Sequence, residues 1–404
     1  MFFEFDDYDL MKAKIKVVGV GGAGGNAINR MIEDNLLGVE FIAVNSDAQD
    51  LDNNLAEIKI QIGKSLTKGL GAGADVDIGR QAIEEDHEII EKTLSGADMV
   101  FITAGMGGGT GSGAAPRIAR ITRELGTLTV GIVTRPFLFE GRQRAQRAET
   151  GIEELRQYCD TTLVIPNETL LRITDPDTTF VDALKLADSI LHQATKGISD
   201  LINIHGLINL DFADVRTVML NMGDAIMGTG TGHGEERAIL AAQQAISSPL
   251  LQNCNIQGAQ GLLINVTGDA TMTLHEVNDA TSIINEEAGA DANVIFGAVI
   301  DSNLTDEFRV TVIATGFNRP AEQLPLAARA REAFPGVASP FDAPGRRERE
   351  PLFSLRRRVP KDGQGMAVVD GEDEDVMVFG DDLEVPAVLR SQASSRAGSQ
   401  QPSA

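Results

Sequence analysis

Cysteine is nearly missing from this chain, and its scarcity rules out whole classes of protein. Among 404 residues there are two, Cys159 and Cys254, and neither has a partner at metal-ligand spacing. They read as two reduced thiols of a cytosolic protein rather than as a disulfide framework. Histidine is also sparse. The five present form no HxxxH or HxH pair, which argues against a transition-metal site. Magnesium stays open, because it binds through substrate phosphates and water. Long apolar runs are lacking too, so no segment can span a bilayer. The first residues, Met1-Phe2-Phe3-Glu4-Phe5-Asp6-Asp7, are acidic and lack the basic and apolar regions of a signal peptide. The expectation is a cytoplasmic protein.

Positive charge is the other shortage. Lysine and arginine total 35 against 59 acids, for a net charge of −24. Nucleic acid is therefore disfavoured as a partner. Any bound anion must be held by backbone N–H groups, local arginines or a cation. From Arg319 onward the chain carries 12 basic and 14 acidic residues, so almost all the excess acid lies before that point. The length and the 42% hydrophobic content suffice for two domains with real cores.

Glycine, by contrast, is plentiful, and it is placed. One run is Val18-Gly19-Val20-Gly21-Gly22-Ala23-Gly24-Gly25-Asn26-Ala27 and a second is Ala104-Gly105-Met106-Gly107-Gly108-Gly109-Thr110-Gly111-Ser112-Gly113. Each follows an apolar strand, Ile15–Val20 or Asp98–Thr103, and precedes a helix. Glycine lets a backbone approach phosphate closely, and a helix N-terminus offers unpaired N–H groups and a positive dipole end. Two such loops in one α/β half predict a nucleotide gripped from two sides. Further strands are expected over 41–45, 128–134 and 162–165. Near-continuous apolar strands alternating with helices indicate a parallel sheet covered on both faces, with ligands at the carboxyl ends of its strands.

From Thr178 to His205 apolar residues fill more than one face of a helical pattern, which predicts a buried helix between two domains. A second, smaller α/β unit follows, with strands over 261–266, 293–299 and 308–314. After Asn318 the composition changes: nine of the 14 prolines lie there and charge becomes blocky, the pattern of a disordered tail. Within it, Leu383-Glu384-Val385-Pro386-Ala387-Val388-Leu389-Arg390 carries apolar residues at helical spacing. That fits either chance clustering or a peptide that folds on a partner's groove.

Gly19, Gly21 and Gly24 spell the GxGxxG of a dinucleotide fold, yet Asn45 stands where the ribose-binding acid is expected at the end of the second strand. A Walker A loop fails as well, because Ile58 occupies its first glycine position before Gly63-Lys64-Ser65. The second loop resolves the choice. Gly107-Gly108-Gly109-Thr110-Gly111-Ser112-Gly113 resembles the tubulin-family signature, and from about Lys14 to Phe317 the chain resembles the FtsZ family, the bacterial cell-division homologues of tubulin. The ordered matches are Ala43 to Gln49, Gly69 to Ala74, Thr134 to Gly141, Ile165-Pro166-Asn167, Ala187-Asp188 and Asn209 to Arg216.

That resemblance implies a tubulin-like fold. Its parts are a flexible N-terminus over 1–10, a Rossmann-like GTP-binding domain over 11–177, a core helix over 178–205 and a GTPase-activating domain over 206–318. A disordered linker over 319–382, a partner-binding peptide over 383–390 and an extension over 391–404 follow. It also implies GTP or GDP contacts from Gly21, Gly22, Ala23, Gly24, Gly25, Asn26 and Asn45, and from Gly71, Ala72 and Gly73. Gly107, Gly108, Gly109, Thr110 and Gly111 join them on the phosphate side. Thr134, Glu140 and Arg144 belong to the ribose side, and Asn167 and Asp188 to the guanine. Magnesium is expected to be held mainly by phosphates and water. A carboxylate at 188 can take both the ring N–H and the exocyclic amine of guanine, while repelling the acceptor edge of adenine.

Asn209, Asp211 and Asp214 are the implied catalytic residues. Asp211 and Asp214, three apart where a helix should begin, also suit ordinary capping, and both roles can coexist. Such acids can polarise an attacking water. They lie in a different domain from the glycine loops, so the expected geometry is head-to-tail, one subunit's acids meeting the next subunit's nucleotide in a filament that does not close. Membrane adaptors and division regulators are expected to engage Val385, Pro386, Val388, Leu389 and Arg390. Two departures stand out. Asp75-Val76 replaces the family's Asn-Pro, and Leu184 replaces a phenylalanine four positions before the guanine-binding acid.

Overall fold

The computed structural model describes residues 13–317 apart from 173, 176, 204–205, 207, 209, 252–255, 290–291 and 302–303. The N-terminal segment, Asn209, Cys254, the linker and the partner peptide thus lie outside the described residues. The first half runs β1 (Ile15–Val20), α1 (Gly21–Glu33), β2 (Val39–Asn45), α2 (Ala48–Asp52), β3 (Ile58–Gln61), α3 (Lys64–Thr67), α4 (Val76–Glu85), α5 (His87–Leu94), β4 (Met99–Gly105), α6 (Gly109–Glu124), β5 (Leu128–Arg135), α7 (Arg142–Arg156), β6 (Thr161–Pro166) and α8 (Asn167–Leu170). The second half runs α9 (Phe180–Asn203), α10 (Phe212–Met219), β7 (Gly223–His233), α11 (Arg237–Ile246), β8 (Gly261–Gly268), α12 (Leu274–Ala288), β9 (Asn293–Ile300) and β10 (Glu307–Thr315).

The strands form one sheet in the order β3-β2-β1-β4-β5-β6-β7-β10-β8-β9. The first six are all parallel, in the doubly wound order of nucleotide-binding folds. The last four are mixed: β10 is antiparallel to both β7 and β8, and β8 is parallel to β9. The two halves join where β6 pairs with β7 in parallel over Thr161–Leu163 and Gly223–Ala225. The fold is thus α/β and mostly parallel, with two parts to its sheet, as the resemblance implies.

Period-2 alternation explains why the strands read as continuously apolar. Ile15 and Val17 of β1, with Met99 and Phe101 of β4, enter a core shared with α1 and α9. Val18, Val20, Val100 and Ile102 enter the opposite core, under α4, α5, α6 and α7. A third core lies between α11, α12 and the strands β8 and β10. The 24-residue α9 sends Ala187, Ile190, Leu191, Ala194, Ile198 and Leu201 inward. Its opening turn differs from the expectation of burial on most sides, because Phe180, Val181 and Leu184 are exposed.

Two strands escaped the sequence reading. The residues of β3, Ile58-Lys59-Ile60-Gln61, alternate over only four positions. Strand β7 carries Gly228, Gly230 and Gly232, residues of poor strand propensity. The structure supplies the reason for them: a Cβ at each would lie 2.0–2.1 Å from a carbonyl oxygen of α11, at Ala245, Ala241 and Arg237. The glycines let α11 rest directly on the sheet.

Candidate functional site

The two glycine runs meet. Strands β1 and β4 are neighbours, with Val20 level with Ala104. Both helices begin within the glycines rather than after them, α1 at Gly21 and α6 at Gly109. Gly21 has φ +71°, and a Cβ there would sit 3.3 Å from the Gly111 nitrogen. Gly24 and Gly111 are buried spacers: a Cβ on Gly24 would lie 2.5 Å from the Thr103 oxygen, and one on Gly111 would lie 2.5 Å from the Gly105 oxygen. Gly25 is likewise buried, its oxygen accepting from Asn54 Nδ2 at 2.9 Å. Gly22, Ala23 and Asn26 are exposed. Nothing lies within 4 Å of the Cβ position of Gly108. Neither α1 nor α6 has a side-chain cap or a first-turn acid, whereas α2, α4, α10 and α12 are each capped by a side chain. Two adjacent helix N-termini thus carry no side-chain cap or acid of their own, and their dipole ends favour an anion.

A third loop closes on them. The Gly109 N–H donates to the Gly73 oxygen at 2.9 Å. Ser46 Oγ lies 2.7 Å from Thr110 Oγ1 and accepts from the Ala72 N–H at 3.0 Å, so a hydroxyl pair ties β2, the 71–73 loop and α6 together. Arg147 donates to the Ala74 oxygen at 2.6 Å. Gly71 and Gly73 have positive φ, and Gly73 is exposed. The Asp75 carboxylate caps α4, accepting from Asp77 N at 2.9 Å and Ile78 N at 3.2 Å, a role that asparagine fills equally well. Ser46 was missed in the sequence; its place inside Asn45-Ser46-Asp47, a turn entering a helix, was the available signal.

Asn45 is buried and committed to its own loop. Its amide donates to Asp50 Oδ2 at 2.6 Å, and its oxygen accepts from the Asp47 N–H at 3.2 Å. Asp50 also faces Gly22, and its carboxyl is raised above the usual range by burial and by neighbouring Asp47. On the other flank Thr134, one residue before the end of β5, lies beside Gly105 and is buried. Phe137 N–H donates to Glu140 Oε1 at 2.9 Å, and Glu140 Oε2 pairs with Arg144 Nε at 2.9 Å. The stem of Arg144 backs Gly107, whose φ is +103°.

Asn167 opens α8 directly after β6, is 7% exposed, and has a buried side-chain oxygen without a hydrogen-bond partner. Asp188 lies on α9, which packs against α1. Burial pushes its carboxyl up to about 6, with Arg30 partly opposing the shift. An unpartnered buried acceptor and a desolvated carboxylate are costly unless a ligand supplies donors.

Asp211 and Asp214 form a reciprocal cap on α10. Ala213 N–H donates to Asp211 Oδ1 at 3.1 Å, and Asp211 N–H donates to Asp214 Oδ2 at 3.3 Å. They are not near the glycines. The N-terminal end of α9 touches the β5–α7 turn through Phe180 and Phe139, while Asn203 at its other end donates to the Gly38 oxygen before β2. Leu201 and Leu210 both lie against Gly297, which places Asp211 by the last turn of α9. A helix of 24 residues is about 36 Å long. The structure thus sets the glycine loops and Asn167 after neighbouring strands of the parallel sheet and Asp188 on the helix packed against α1, with Asp211 and Asp214 at the other end of that helix.

The residues fit a nucleotide, with open N–H groups at one end and unsatisfied acceptors at the other. Among the described residues no trio of His, Cys, Asp or Glu is gathered to hold a metal ion. No described helix is long and apolar enough to cross a membrane. A cavity of about 800 Å³ lies on another side of α9, lined by His192, Asn265 and Arg309 among others; none of the glycine loops contributes to it.

Residues 14–175 match the Tubulin/FtsZ family GTPase domain and residues 223–318 match the FtsZ family C-terminal domain. The structure of an empty FtsZ dimer from M. jannaschii is similar at 46% identity and a TM-score of 0.73, covering 76% of this chain and 89% of that one. CetZ2 from Haloferax volcanii, in a GTPγS-bound protofilament, shares the fold at 20% identity and a TM-score of 0.62, covering 79% of this chain and 98% of that one.

Proposed function

The chain belongs to the Tubulin/FtsZ family, and to FtsZ within it, and from that premise we propose that it is a GTP-hydrolysing cytoskeletal protein that assembles head to tail at the site of cell division. The observation that carries this reading is the separation of two half-sites along α9. Phosphates rest on the N-termini of α1 and α6, enclosed by the 71–73 loop. Glu140 and Arg144 take the ribose side, and Asn167 and Asp188 receive guanine donors. The hydrolytic half is supplied by the next subunit. There the mutual cap leaves Asp211 Oδ2 and Asp214 Oδ1 to orient and polarise a water against the terminal phosphate. Asn209 joins that half as a third polar group. Magnesium, when bound, offsets phosphate charge and is held by phosphates and water.

GTP at the contact favours assembly, and the contact completes the catalyst, so hydrolysis follows assembly. The segment 383–390, through Val385, Pro386, Val388, Leu389 and Arg390, tethers the filament to membrane adaptors and division regulators at mid-cell. The test follows phosphate release across protein concentration, alongside pelleting with GTP, GDP or NAD. GTP alone should support both pelleting and turnover, and specific activity should rise above a threshold concentration. Constant specific activity down to nanomolar protein would mean that each subunit carries a complete site.

A further inference from the structure

Three phenylalanines join the ribose side of the site to the helix that carries its base end. The rings of Phe137 and Phe139 stack with centroids 4.9 Å apart and planes 17° apart. Phe139 meets Phe180 at 5.9 Å and 60°. Phe137 is buried, whereas Phe139 is 63% exposed and Phe180 61%. The first ring anchors the second, and the second reaches across to the opening turn of α9. Both ends of this bridge are fixed. The Phe137 and Leu138 N–H groups donate to Glu140 and to Glu168 of α8, and Thr179 exchanges hydrogen bonds with Asp182 at the head of α9.

Phe180, Leu184 and Asp188 follow at four-residue intervals, so they line one face of α9. Leu184, 40% exposed, offers a branched aliphatic wall between the ring and the carboxylate. Large rings left this exposed give up the stabilisation that burial would bring. Here the two rings touch each other, one a residue before Glu140 and the other two helical turns before Asp188.

We propose that the Phe139–Phe180 pair positions the nucleoside end of the ligand: it fixes the span between Glu140 and Asp188 and, with Leu184, shields the purine nucleoside from water. This rests on the guanine-nucleotide reading above. The phosphate grip on α1 and α6 does not involve the pair. Losing the contact therefore speeds dissociation, and does so to a similar degree for GDP and GTP.

The test is displacement of fluorescent GDP from the full chain, below the assembly threshold. Phe180→Ala and Phe139→Ala should each speed dissociation about 2- to 12-fold, the equivalent of 0.5–1.5 kcal/mol for an aromatic pair. The double variant should be no faster than the faster single, because either single already abolishes the Phe139–Phe180 contact. Phe180→Trp should keep the wild-type rate, and Leu184→Phe should slow release in the Phe180→Ala background. The melting temperature of the nucleotide-free variants should match wild type, since both rings are exposed. Unchanged dissociation with a raised critical concentration would assign the rings to the subunit contact and overturn the proposal. Wild-type protein that fails to bind the probe would refute the guanine-nucleotide reading itself, and the pair's role with it.

Discussion

Asp188 should make nucleotide affinity and protein stability respond to pH in opposite directions. Its carboxyl is raised from 3.8 to about 6, chiefly by burial. In the proposed site only the ionised carboxylate can accept from both guanine donors at once, because protonation turns one of its oxygens into a donor. With a pKa near 6, about nine-tenths of the free protein is ionised at pH 7 and about one-tenth at pH 5. GDP affinity should therefore fall roughly tenfold between those values. In the nucleotide-free protein the folded state holds more protons than the unfolded state between about pH 4 and 6, so Asp188's contribution to stability falls as pH rises through that window. Discounted for partial solvent exposure, the ionised carboxylate costs about 1–2 kcal/mol at neutral pH. Asp188→Asn should then raise the nucleotide-free Tm by a few degrees while weakening GDP about 10- to 150-fold. It should also flatten the pH dependence of binding. Titration calorimetry of dilute protein from pH 5 to 8, with thermal melts of the same samples, measures both. A variant that keeps the pH slope, or that melts lower than wild type without nucleotide, would show that Asp188 is not the desolvated base-binding group argued here.

Asp214→Ala should lower turnover by about 10²–10⁴ and leave GDP affinity unchanged, read by single-turnover assays and calorimetry; a loss of affinity would place Asp214 in its own subunit's pocket. Two glycines in the same loops should separate packing from binding. Gly24→Ala forces a Cβ to 2.5 Å from the Thr103 oxygen and should destabilise the fold in thermal melts. Gly108→Ala meets open space and should leave Tm unchanged while loosening nucleotide. Removing residues 319–404 should leave pelleting and GTP turnover intact, whereas deleting 385–390 alone should abolish capture of the membrane adaptor in pull-downs. A folded, GTP-bound core that fails to pellet would make the tail part of the filament.

Five of the six strands in the parallel half were legible because they announce themselves as apolar runs, two of them leading into glycine loops, whereas β3 alternates over only four residues. Strand β7 was not, because its glycines answer to the helix lying on it, and that pressure leaves no trace in strand propensity. The same limit applies inside the loops. The sequence marks Gly24, Gly108 and Gly111 alike, but Gly24 and Gly111 are spacers against carbonyl oxygens and Gly108 stands open. Single-residue chemistry was easiest to anticipate where a residue type is costly in its place, as with Asp188 on a half-buried helix. Ser46 and Asp50 were harder, because their importance comes from partners 64 and five positions away. The exposed start of α9 reads as core by composition, since Phe180, Val181 and Leu184 are apolar residues that the structure leaves open to solvent.

The seam between the two parts of the sheet has a mechanical meaning. Strands β6 and β7 share three paired positions, whereas β10 shares nine with β7 and β8 shares eight with β9. In the filament proposed above, load along the subunits would pass through this ribbon of backbone bonds, and a ribbon yields first at its narrowest stitch. The long helix α9 packs on both sides of this seam, against β5 and against β8 and β9, and so braces the stitch. Rungs added at this place would stiffen the whole protein more than the same number added anywhere else in the sheet.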